Sequence, residues 1–170
     1  YSSIIYGDNE LGVGLDMFLG SAGFNYQRYS PGATIFSNYL VRTYNKDHVV
    51  ASLMRVVLDD LLGPTPGDRL LDEMIHRGKQ LYILDQLLPT TQDTIKFRVS
   101  EAQWTWLQEN ERNLWSHLLS EDLLYSTRYQ DYRKLIEPSP SGAPALPEES
   151  PGEAANYLGF RIVQQFLQKS

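Results

Sequence analysis

The chain has 170 residues, enough for one domain with a real core, and its 15 Lys+Arg against 21 Asp+Glu leave a net charge of −6. The charges are scattered and form no basic stripe, which argues against nucleic-acid binding, since that draws on clustered cations to neutralise phosphates. There is no cysteine, so disulfides, thiolate metal sites and cysteine nucleophiles are excluded, and no apolar run approaches the ~18 residues of a membrane-spanning helix.

In chain order, Ser3–Tyr6 reads as a strand, Gly7-Asp8-Asn9 as a turn, and Leu11, Val13, Leu15, Met17 and Leu19 alternate as a second strand. The other face of that strand carries Gly12, Gly14, Asp16 and Phe18. Glycines inside a strand admit close approach, so this face is expected to lie against a helix or over a cleft, with Asp16 as its lone charge. Residues 21 to 45 read as irregular, with a short helix near Phe36 to Thr43. From Asp47 to Leu62 the pattern is helical and apolar nearly all round, as in a buried helix, and Gly63-Pro64 ends it.

A second helix is predicted over 69–87, capped by Asp68, with Leu70, Leu71, Met74, Ile75, Leu81, Tyr82 and Leu84 as its core stripe. Asp72, Glu73, His76, Lys79 and Gln80 fall on its other side. Gly78 in its interior costs ~1 kcal/mol against alanine, which points to tight packing there. Pro89-Thr90-Thr91-Gln92 breaks it. Ser100 with Gln103 then starts a long helix as a capping box, carrying Trp104, Leu107, Leu114, Trp115 and Leu118 at core spacing to about Leu124. Residues 137 to 153 hold five prolines and no periodicity, and read as a loop over the body. Ser150-Pro151-Gly152-Glu153 supplies a cap, a proline and an acid for a last helix with Leu158, Ile162, Val163, Phe166 and Leu167 on its inner stripe.

The chemistry-bearing run is Asp72-Glu73-Met74-Ile75-His76. It is one residue from His-Glu-x-x-His, the zinc-protease helix that places two imidazoles one turn apart beside a glutamate base. Asp72 and His76 share a face at i, i+4, and zinc needs a third protein ligand, for which Glu153 or Glu149 is the candidate. Glu73 is then the candidate general base. The competing structural account is that acids in a first turn complement the helix dipole, that Glu73 pairs with Arg77, and that Glu153 is a capping residue. His48 and His117 have no partners at ligand spacing. No phosphate-cradling loop, dinucleotide fingerprint or Gly-x-Ser-x-Gly elbow is present.

Several blocks resemble those of GldB-type gliding-motility lipoproteins: Gly14-Leu15-Asp16-Met17-Phe18-Leu19-Gly20, Glu73-Met74-Ile75 with Gly78-Lys79-Gln80-Leu81-Tyr82, Leu123-Leu124-Tyr125-Ser126-Thr127, Glu149-Ser150-Pro151-Gly152, and Tyr157-Leu158-Gly159-Phe160-Arg161-Ile162-Val163. The resemblance covers most of the chain. It implies a single-domain α+β fold over 1–170, mainly helical with a small N-terminal antiparallel sheet, zincin-like and degenerate. It also implies a non-catalytic lipoprotein of the cell envelope, facing the periplasm and held to the membrane by a lipid anchor upstream of Tyr1. Its partners would be envelope proteins of a motility or secretion complex. The cleft is expected to hold Asp16, Asp72, Glu73, His76 and Lys79. No resident cofactor is expected; zinc on Asp72, His76 and Glu153 is the alternative, making the protein a metal-dependent peptidase with a variant Asp-Glu-x-x-His site. A peptide-binding pseudo-protease is the third reading.

Overall fold

The computed structural model describes residues 4–7, 10–20, 41–139, 142–143, 146–147 and 149–169. The chain divides into two compact units, Tyr1–Gly63 and Pro64–Ser170. In the first, β1 (Ile4–Gly7) pairs antiparallel with β2 (Glu10–Val13), Ile4 opposite Val13 and Gly7 opposite Glu10. The second strand does not run to Leu19 as its alternation suggests. After Gly14 the backbone winds into a 3-10 turn, Leu15–Phe18, closed by the Met17 N–H on the Gly14 carbonyl at 3.0 Å. Winding at three residues per turn cancels the period-two pattern. Phe18, placed by the alternation on the face with Gly12, Gly14 and Asp16, is buried, and its ring meets Tyr44 edge-on at 6.3 Å, while Leu15 and Leu19 of the apolar face are exposed. The expected helix near Phe36 falls largely outside the described residues.

A 3-10 turn at Lys46–His48, with the Asn45 side chain accepting from the Asp47 N–H, leads into α1 (Val49–Leu62). This helix is not buried all round. Only Ala51 and Leu58 are buried, seven residues apart on one seam, while Val50 and Leu61 are 53% and 71% exposed. Apolar composition exceeds the core that this small unit offers it.

The second unit is helical among its described residues: α2 (Leu70–Leu87), α3 (Asp93–Lys96), α4 (Glu101–Glu109), α5 (Glu111–Ser120), α6 (Tyr129–Ile136) and α7 (Ala154–Gln168). Together with α1 this makes the described chain mainly helical. The axis of the unit is the crossing of α2 and α7. A Cβ added to Gly78 would lie 2.3 Å from the Gly159 carbonyl carbon, and one added to Gly159 would lie 1.8 Å from the Met74 carbonyl oxygen. The helices therefore touch backbone to backbone, as the interior glycine suggested. Leu70, Met74 and Leu158 of these two helices belong to one core cluster, all with no exposure. Phe97 stacks against Trp104 at 4.8 Å and edge-on to Phe160 at 5.1 Å, so the tryptophan serves the core.

The single long helix predicted from Ser100 is two. The capping box is present, Gln103 N–H to Ser100 Oγ at 3.2 Å and Ser100 N–H to Gln103 Oε1 at 3.1 Å. At Asn110, however, the backbone leaves the helical region (φ −108°, ψ 16°), the side-chain amide joins the main-chain N–H on the Trp106 carbonyl at 3.0 Å, and the chain restarts as α5. The last helix also begins later than predicted. Glu153, in the left-handed region at φ 62°, precedes α7, while Ser150 turns its hydroxyl onto the Pro147 carbonyl at 2.6 Å. The described residues of 137–153 form no helix or strand, and Ala143, Ser150, Pro151 and Gly152 are buried.

Candidate functional site

The site builds from the N-terminus of α2. Its residue before the first turn is Arg69 rather than Asp68. The open N–H groups of Leu70 and Leu71 donate to the carbonyls of Ser126 and Leu124, at 3.1 and 3.0 Å, so a distant turn closes this helix end. Tyr132 of α6 donates to the Asp68 carbonyl at 2.9 Å. Asp72 accepts a two-pronged contact from the Arg69 guanidinium, Nε to Oδ2 and Nη2 to Oδ1, both at 2.8 Å, and takes the Arg69 main-chain N–H at 3.3 Å. The side-chain hydrogen bonds from Arg69 hold the Asp72 carboxyl below the ordinary aspartate range.

The next residue, Glu73, faces Arg77, Oε2 to Nε at 3.7 Å, and that buried oxygen has no hydrogen bond. Arg77 reaches on to Gln80 at 3.5 Å, and the Gln80 amide meets the His76 ring at 3.5 Å. His76 is buried and Lys79 exposed. Glu73, Arg77, Gln80 and His76 thus form a polar ladder within one helix. The charge of Glu73 also reaches two tyrosines of α6. Burial pushes the Tyr132 phenol up, with Glu73 adding to the shift. A hydrogen bond to Glu137, then burial, pushes Tyr129 up to about 12.

The other candidates belong to other segments of the chain. Glu153 is held by Arg98, Nη2 to Oε1 at 2.5 Å, with Asn156 at 3.4 Å. Glu149 and Asp16 are exposed, Asp16 on the 3-10 turn of the first unit. No three or more His, Asp or Glu side chains among the described residues are placed to hold a metal ion. The donor chemistry does not fit zinc: both Asp72 oxygens are engaged by Arg69, Glu153 by Arg98, and the His76 ring faces an amide on its own helix.

Sequence reasoning missed Arg69, although its i, i+3 spacing from Asp72 is readable, and it missed the tyrosines of α6. It also missed a buried cation. Lys96, with its side chain 4% exposed, is clasped by Asp85 and by Asp93, the latter at 2.8 Å.

The family model described as gliding motility protein GldB matches residues 1–170. No curated protein and no solved structure gives a match. No described helix is long and apolar enough to cross a membrane. Matched along its whole sequence, the chain belongs to the GldB family of gliding motility lipoproteins.

Proposed function

We propose that this protein is a non-catalytic lipoprotein of the cell envelope, facing the periplasm and tethered by a lipid anchor, which supports the gliding apparatus or the secretion machinery linked to it. Its partners are envelope proteins of that complex. The observation that carries the reading is the family match over residues 1–170. The engagement of Asp72 and Glu153 by arginines supports the non-catalytic part, because carboxylates already paired with guanidinium groups are poor ligands for a water-activating zinc ion. The degenerate zincin relationship belongs to the same proposal, resting on Asp72-Glu73-x-x-His76 lying along one helix.

The alternative is the peptidase, and the oxygen of Glu73 without a hydrogen bond favours it. One experiment decides between them. In a gliding bacterium whose own copy is replaced by the Glu73→Gln variant, colony spreading should match the parent at equal protein abundance. A glutamate acting as general base would instead lose its function on losing its charge. Abolished spreading with the protein still present would overturn the non-catalytic reading.

A further inference from the structure

The geometry points to a role for Asp72 that the zinc-protease pattern does not contain: Asp72 is a positioning residue that clamps Arg69 beneath the Tyr125 ring and so fixes the Leu123–Thr127 turn as the closure of α2. Three sets of contacts converge on this. The Arg69 guanidinium and the Asp72 carboxylate meet fork to fork, both contacts at 2.8 Å, an arrangement that fixes orientation as well as distance. The Arg69 Cζ lies 6.0 Å from the centre of the Tyr125 ring, within reach of a cation–π contact. The residues either side of Tyr125 supply the two carbonyls that receive the Leu70 and Leu71 N–H groups. Leu124 anchors the turn in the core, whereas the Tyr125 ring is 68% exposed, so the ring is placed by its contact with Arg69 rather than by burial.

The carboxylate is also enclosed from behind. A Cβ on Gly67 would come within 2.2 Å of Asp72 Oδ2, so the main chain at Gly67 lies directly against it. An imidazole at position 72 has neither two coplanar oxygens for the guanidinium nor a negative charge to hold it. Restoring the first histidine of His-Glu-x-x-His therefore breaks the clamp without assembling a metal site. This rests on the non-catalytic reading of the same helix, but the two fail separately: gliding reads Glu73, and the measurements below read position 72.

The test is the Asp72→His variant titrated with zinc alone. Its melting temperature should fall below the parent's, zinc should not restore it, and its zinc Kd should stay within about threefold of the parent's. Tightening by about 100-fold, or refolding of the variant by zinc, would overturn the proposal. A second arm does not depend on that variant being folded at rest. Arg69→Ala and Asp72→Ala should each move the NMR resonances of the Tyr125 ring, and the double variant should move them little further, since both remove one unit. An unmoved Tyr125 ring in either single variant would equally overturn it.

Discussion

Adding one methyl group at Gly78 should weaken the protein, against the intrinsic preference of helices for alanine. In a free helix the change gains ~1 kcal/mol. Here the new Cβ would stand 2.3 Å from the carbonyl carbon and oxygen of Gly159 and 2.7 Å from the Phe160 nitrogen. Non-bonded heavy atoms rest ~3.5–4.0 Å apart, so α2 and α7 would have to separate by roughly 1 Å. The obstructing atoms are backbone, so no rotamer change relieves the contact. Overpacking costs ~1–3 kcal/mol, and a backbone obstacle argues for the upper end, leaving a net loss of ~2 kcal/mol after the propensity gain. For a helical unit of this size that lowers the melting temperature by about 10 °C. Thermal melts followed by circular dichroism read it directly, with Lys79→Ala, exposed and next in sequence, as the control that should stay within about 0.5 kcal/mol. Gly159→Ala should be at least as harmful, its Cβ falling 1.8 Å from the Met74 oxygen, and the double variant should lose less than the two singles combined because both open one seam. A Gly78→Ala protein that melts at or above the parent's temperature would refute the close crossing.

Asp85→Asn should cost about 1–3 kcal/mol in urea unfolding by taking one of two carboxylates from the buried Lys96, and an unchanged midpoint would contradict it. Burial pushes the Lys96 ammonium down, but the hydrogen bonds of Asp85 and Asp93 outweigh it and leave the group above its ordinary value. Its contribution is accordingly complete below the unfolded lysine pKa of about 10.4 and is lost as pH rises through the folded value, so the urea midpoint should fall only in strongly alkaline solution, and at lower pH in the Asp85→Asn variant. Asp122, exposed just past α5, sits at φ 52°, where glycine is at ease; Asp122→Gly should raise stability by about 0.5 kcal/mol, and a lowered urea midpoint would show that the side chain matters there.

The helices that carry long stripes were readable from residues alone. Leu70, Met74, Leu81 and Leu84 are buried on α2 and Leu158 and Val163 on α7, and an interior glycine at 78 signalled the close contact between them; the stripe of α7 ends sooner than its spacing suggests, since Phe166 and Leu167 are 69% and 45% exposed. The seven-residue spacing of Ala51 and Leu58 was hidden in α1 because nearly every neighbour is apolar. The α6 helix was invisible for the opposite reason: eight residues with only Tyr132, Leu135 and Ile136 buried make too short a pattern. At the candidate site the intrahelical spacings of Asp72, Glu73, His76 and Arg77 were legible. What engages Glu153 was not, because Arg98 lies 55 residues away and the pair forms only through the fold. Helix starts were misplaced where a cap came from main chain, as at α2, or from a left-handed residue, as at Glu153.

The crossing of α2 and α7 also sets the order in which the helical unit can assemble. Met74 and Gly159 touch across 159 − 74 = 85 residues of chain, so the most intimate contact of the unit has one of its longest loops to close. Until residues 154–168 are available, α2 keeps a bare groove at Gly78 and the side chains of Leu70 and Met74 lack a lid. A ribosome or a translocation pore that releases the chain from its N-terminal end therefore delivers α2 through α6 first and the piece that joins them last.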